Sequence, residues 1–154
     1  MSEPRWLAPQ QAEVWARYRK VYRELQQAQD QQLQRDSGLS AADYALLAPL
    51  SESDDGVLRA RDLGADVGWE RSRLSHQISR MEKRGIVVRE ACADDARGSM
   101  VRLTEKGREA IEAAAPKHAE CVRRLVFDPL TTDEVRLFGD FLDRILGAIE
   151  RGAR

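Results

Sequence analysis

A chain of 154 residues supports one domain, or one domain with dimerisation arms, and its 42% apolar share leaves room for a core. One third of the residues are charged (33%) and the formal net charge is −1. No apolar run is long enough to span a bilayer, so a soluble, cytoplasmic protein with no membrane partner is expected. The two cysteines, Cys92 and Cys121, lie far apart with no second sulfur or histidine at ligand spacing, which excludes a structural metal centre and points to reduced thiols.

Helical signals open the chain. Pro9 suits a first helical turn, and the pattern runs to Asp36, where Gly38 is placed to stop it. Val14, Tyr18, Val21, Leu25 and Ala28 share one face, with Trp15 and Tyr22 beside them. Ser40 and Asp43 have capping-box spacing, which predicts a second helix from Ala41 to about Leu50. Residues 51–56 read as a polar loop. Leu58, Leu63 and Val67 predict a short third helix ended by Gly68, and Gly64 within it is expected to loosen it.

A fourth helix follows, with Leu74, Ile78 and Met81 as its narrow apolar stripe and Gly85 as its stop. The period then changes. Ile86, Val87 and Val88 and the run from Met100 to Leu103 are β-formers around a polar tip, which predicts a hairpin or wing. Thr104 caps a fifth helix reaching about Phe127, with Pro116 expected to kink it. Thr131 and Glu134 form a second capping box ahead of a last helix. That helix carries Val135, Phe138, Phe141, Leu142, Ile145, Leu146 and Ile149 on its apolar side.

This order predicts a mainly α fold with a small β-hairpin wing, a winged helix-turn-helix with long N- and C-terminal helices. Residues 1–36 would form an N-terminal dimerisation helix, 37–104 the winged helix-turn-helix and 105–154 the C-terminal dimerisation helices. The outer helices carry apolar stripes without enough neighbours to cover them, which an interdigitated homodimer would supply.

The fourth helix surrounds its one apolar seam with Arg71, Ser72, Arg73, Ser75, His76, Ser79, Arg80, Lys83 and Arg84. Basic side chains neutralise phosphates, and hydroxyls with Arg and His can reach base edges, so this helix is read as the part that contacts double-stranded DNA. Charge distribution agrees. Residues 59–108 hold 12 Lys/Arg against 8 Asp/Glu (+4), and the remainder 13 against 18 (−5).

Four segments resemble the MarR family of bacterial transcriptional regulators: Arg-Ser-Arg-Leu-Ser at 71–75, Met-Glu-Lys-Arg-Gly-Ile-Val at 81–87, Asp95-Ala-Arg97, and Val-Arg-Leu-Thr-Glu-Lys-Gly at 101–107. The resemblance is strongest from Ala60 to Ala115. It implies a triangular homodimer on a pseudo-palindromic operator, usually a repressor released by a small ligand or an oxidant. It further implies that Ser72, Arg73, Ser75 and His76 face a major groove, with Arg80 at its edge or on phosphate. Arg97 would enter a minor groove, steadied by Asp95. The sequence departs from the family at Trp69-Glu70, where smaller or Asp/Ser residues are usual before the basic helix, and at Gly64, where Ala is common.

Other readings remain. Trp15, Tyr18, Tyr22 and Tyr44 could line a pocket which, with Arg17 or Arg19, would take a small aromatic or anionic ligand. Cys92, near Arg89 and Arg97, could sense oxidants. The basic helix could instead dock an acidic protein, making a winged-helix interaction module. His118 reads as a packing histidine. No catalytic constellation, phosphate-cradling Gly loop or cofactor motif is present, so neither an enzyme nor a cofactor is expected.

Overall fold

The computed structural model of the chain describes residues 4–94 and 97–153. They fall into two units, one ending at His118 and one beginning at Ala119. The first contains α1 (Pro9–Ser37), α2 (Ala41–Glu52), β1 (Val57–Arg59), α3 (Ala60–Val67), α4 (Arg71–Lys83), β2 (Val87–Ala91), β3 (Ser99–Leu103) and most of α5 (Glu105–Val122). The second contains the end of α5, a π-helical turn at Arg123–Phe127 and α6 (Thr132–Gly152).

Local chemistry sets most of these boundaries. Pro9 stands in the first turn of α1, and Gly38 ends the helix in the left-handed region at φ 69° with its N–H on the Gln34 carbonyl. The Ser40–Asp43 box closes in both directions: Ser40 N–H donates to Asp43 and Asp43 N–H to Ser40 Oγ, at 2.9 and 3.0 Å. Thr131 and Glu134 do the same ahead of α6. Helix α2 runs through Pro49 to Glu52, two residues past its expected end, and α5 likewise runs through Pro116.

One expected element is different. Leu58 was expected in the third helix but lies in β1, which pairs antiparallel with β3 in register Leu58 with Val101. The sheet order is β1-β3-β2, so the wing hairpin gains a third strand. The reason is tertiary: β3 has an open edge whose backbone groups need partners, and Val57 and Leu58 supply them before α3 begins at Ala60.

Gly64 lies within α3, where it has a packing role. It is buried, and a Cβ there would stand 3.1 Å from Leu74 Cδ2, closer than ordinary contact, so the missing side chain eases the approach of α3 to α4. The core of this unit joins Leu33 of α1, Leu39, Leu46, Leu47 and Leu50 around α2, Leu63, and Leu74, Ile78 and Met81 of α4. Ile86, Val87, Val101, Leu103, Ile111 and Ala114 complete it. Each large side chain contributes roughly 1.5–3 kcal/mol by leaving water.

The 101–107 motif is a joint. Thr104 Oγ1 donates to the Gly85 carbonyl at 2.7 Å and accepts from Gly107 N–H at 3.0 Å. Lys106 reaches the Arg84 carbonyl at 2.9 Å. A Cβ on Gly107 would press into the Ile86 carbonyl, so only glycine allows α5 to start against the turn that ends α4.

Candidate nucleic-acid interface

Helix α4 begins after a tight turn. Gly68 adopts φ 66°, and Trp69 N–H donates to the Gly64 carbonyl at 3.0 Å. Glu70 holds the N-cap position without a side-chain cap. Leu74, Ile78 and Met81 then face the core, as their spacing predicts, and Gln77 joins them as a buried polar residue. Arg71, Ser72, Arg73, Ser75, His76, Arg80, Lys83 and Arg84 are exposed.

These basic residues are not equivalent. The Arg73 guanidinium lies 4.2 Å above the Trp69 ring, a cation–π contact that orients it. Arg80 donates to Gln77 Oε1 at 2.6 Å, and Gln77 Nε2 donates to Asp43 Oδ1 at 2.7 Å. Arg84, expected on phosphate, is partly exposed but reaches back to the corner between α1 and α2. It donates to Asp43 Oδ2 at 2.6 Å and to the Gly38 carbonyl at 3.3 Å. Asp43 is only 2% exposed, so its charge requires that partner, and Arg84 serves as a strut between α4 and the α1–α2 corner.

Arg89 on β2 was not among the expected interface residues. It donates to Ser79 Oγ at 3.0 Å and to both the carbonyl and Oγ of Ser75, at 2.8 and 3.0 Å. A period-2 signal was present, because Arg89 shares a strand face with buried Val87, where an arginine needs partners. This engagement on α4 also occupies the guanidinium that was considered as an activator of Cys92. Cys92 is half-buried and Cys121 buried.

Arg97 is exposed in the turn of the wing, while Asp95 lies outside the described residues. A groove of about 620 Å³ between α3, α4 and the wing is lined by Arg61, Arg71 and Arg97 together with Gly68, Trp69 and Ser99. Arg61 is a further cation on this face that the sequence did not single out. The wing strands are clamped by Arg102 on Glu90, which holds the Glu90 carboxyl below its ordinary range.

The four aromatic residues considered for a ligand pocket separate. Trp15, Tyr18 and Tyr22 stack along the exposed side of α1, with ring centroids 5.2 and 6.5 Å apart. Tyr44 instead packs on His118 at 4.4 Å. Both line a cavity of about 680 Å³ whose other walls include Arg23, Asp30, Leu33, Trp69 and Arg73. His118 Nδ1 stands 3.1 Å from Gln32 Oε1. Gln32 spends its amide N–H on Asp36, so Nδ1 must carry the proton and donate. Burial pushes the His118 pKa down, favouring the neutral ring, and the same cause pushes Tyr44 up.

No family model matches the chain. Solved structures do. Sco3205, a MarR family transcriptional regulator from Streptomyces coelicolor solved in complex with DNA, is 39% identical, with a TM-score of 0.89 over 94% of this chain and 91% of that one. The chain belongs to the MarR family. AbsC, a MarR family transcriptional regulator of the same organism, is 36% identical with a TM-score of 0.89, over 96% of this chain and 99% of its own. The HTH-type transcriptional regulator YxaD of Bacillus subtilis is 28% identical over 116 residues, 75% of this chain and 79% of that protein. These relatives of our MarR-family chain are transcriptional regulators and not enzymes, which agrees with a sequence lacking any catalytic constellation. The winged helix-turn-helix, expected from element order and from the resemblance, is the fold they share. Among the described residues no helix is long and apolar enough to cross a membrane.

Proposed function

We propose that this MarR-family regulator is a cytoplasmic homodimer that reads a pseudo-palindromic operator, represses transcription, and is released by a small aromatic or anionic ligand. One observation carries the reading: α4 buries only its seam and leaves seven side chains, Arg71, Ser72, Arg73, Ser75, His76, Arg80 and Lys83, facing solvent. Ser72, Arg73, Ser75 and His76 contact base edges, while Arg71, Arg80 and Lys83 contact phosphates. Arg97 enters the minor groove. Arg61, lining the same groove as Arg71 and Arg97, adds a phosphate contact. Arg84 is a structural strut.

The dimer follows from two apolar stripes that the chain leaves in water. Val14, Trp15, Tyr18, Val21 and Tyr22 of α1 are each more than half exposed, as are Ile145, Leu146 and Ile149 of α6. Residues 1–36 and 105–154 supply the dimerisation helices around the DNA-reading segment 37–104. Two α4 helices related by the dimer axis would enter successive major grooves roughly 34 Å apart. The ligand site is the cavity at Tyr44, Trp69 and His118, with Arg23 and Arg73 as its cations. An anion there would draw Arg73 from DNA.

The test is selection of duplexes from a random pool, followed by titration of the selected site at several salt concentrations. A specific complex with a steep loss of affinity against log salt is expected. Failure to enrich any sequence, or saltable binding to an acidic protein alone, would overturn the reading. Aromatic carboxylates should quench or shift the tryptophan emission, and a Trp6→Phe/Trp15→Phe variant, which keeps Trp69, should retain the response; release of the operator should accompany it, and silence across a broad panel would remove the ligand from the proposal.

A further inference from the structure

We infer that Arg89 is a positioning residue for sequence discrimination: it biases Ser75 toward hydrogen-bond donation to the DNA. The inference rests on the reading that α4 contacts base edges. Ser75 is exposed on α4, and Arg89 Nη2 donates both to its Oγ at 3.0 Å and to its carbonyl at 2.8 Å. Nη1 of the same guanidinium donates to Ser79 Oγ one turn along, at 3.0 Å. Glu82 holds the arginine from the other side. Its Oε2 accepts the Arg89 backbone N–H at 2.9 Å, and its Oε1 lies 3.5 Å from Nη1.

The consequence is chemical. A serine hydroxyl carries one proton and two lone pairs. With one of the two lone pairs of Ser75 Oγ taken by the guanidinium, the hydroxyl keeps its proton but only one acceptor site, and among the described residues no acceptor receives that proton. A free serine can rotate to donate or accept and so tolerates several bases. A serine pinned by arginine is biased to donate, and it selects acceptors in the groove, such as guanine O6 or N7, adenine N7 or thymine O4, over the cytosine amino group. The two-pronged bond suits Arg89 to this task because its planar fork spans Ser75 and Ser79 together, which a lysine ammonium cannot do. Arg89 itself is 29% exposed at its side chain and fully engaged within the fold, so it adds no phosphate contact of its own.

The experiment uses the full chain and the duplex recovered from a random pool with wild-type protein, together with its single-base-pair variants. Ser75→Ala should abolish discrimination at one base pair in each half-site, a loss on the order of tenfold. Arg89→Ala should lose discrimination at that same base pair by a similar factor, with the other positions and the salt slope unchanged. Arg89→Lys should retain part of it. The Ser75→Ala/Arg89→Ala double variant should lose no more than either alone. Circular dichroism melts accompany each protein, and the lysine variant decides if the alanine variant is unfolded. Additive losses, a uniform loss at all positions, a salt slope reduced by about one, or full discrimination in Arg89→Lys would overturn the inference. If wild-type protein enriches no sequence, the DNA-reading proposal itself fails, an outcome distinct from any of these.

Discussion

Gln77 Nε2 donates to Asp43 Oδ1 at 2.7 Å, and both side chains are shut away from solvent. This bond ties the recognition helix α4 to the first turn of α2. The other Asp43 oxygen takes Arg84 at 2.6 Å and the Ser40 N–H at 2.9 Å, so both carboxylate oxygens are engaged. Exposed Arg80 extends the chain of bonds through Gln77 Oε1. The angle at which α4 leaves the domain is thus set partly by a buried polar relay.

Breaking that relay should be costly. Asp43→Ala removes a helix cap and strands a buried amide donor, and a loss of about 3 kcal/mol is expected in urea unfolding. Arg84→Ala should also destabilise, by about 1–3 kcal/mol, yet leave the salt slope of DNA binding unchanged. A slope reduced by about one would return Arg84 to the phosphate contacts.

Arg73→Ala should weaken operator binding by about 1–3 kcal/mol and relax discrimination at one base pair, if the contact is bidentate. Trp69→Leu should reproduce part of this effect, because the ring that orients Arg73 at 4.2 Å is gone. Arg97→Ala should lower affinity with a smaller loss of discrimination. Quantitative binding to single-base operator variants separates the three.

The exposed stripe of α6 gives a prediction on assembly. Leu142→Asp with Ile145→Asp should convert a dimer to monomer in sedimentation equilibrium. It should also weaken operator binding by about 100-fold or more, through loss of the second half-site. A wild-type chain that sediments as a monomer at micromolar concentration would refute the dimer.

His118 predicts a pH dependence. Its folded pKa is depressed by burial, whereas the unfolded value stays near the usual 6.5. The unfolded chain therefore binds the proton more readily. The stability contributed by the neutral ring is fully present above pH 6.5 and is lost as pH falls through the lower, folded value. Wild-type protein should lose stability relative to His118→Gln as the pH falls below about 6.5, and the difference curve isolates this group from the carboxylates. A flat difference would show that His118 is not buried as described.

Gly107→Ala should destabilise more than Gly64→Ala. At 107 the new methyl meets the Ile86 backbone carbonyl, which cannot yield. At 64 it meets the end of the Leu74 side chain at 3.1 Å, which can shift by a few tenths of an ångström. Paired thermal melts test the order.

Much of this could be read along the chain because it depends on near neighbours. The Ser40–Asp43 and Thr131–Glu134 boxes, the Gly38 stop and the Leu74–Ile78–Met81 seam all act over three or four residues. Side chains at that spacing meet whatever the rest of the protein does. The exposed basic and hydroxyl residues of α4 follow as the complement of its seam. The motif at 101–107 was recognisable by resemblance, although its role as a joint beneath Gly85 was not.

Tertiary structure decided the partners of those residues. Asp43 finds Gln77 and Arg84 across 34 and 41 positions of sequence, and nothing in local spacing sets that distance aside. Leu58 became a strand because β3 offered an open edge. Tyr44 left the other aromatics for His118, and Arg89 turned from Cys92 to Ser75. Periodicity specifies which face of an element is buried, but buried polar groups and open strand edges must be satisfied by whatever the fold brings beside them, and only packing in three dimensions selects that neighbour.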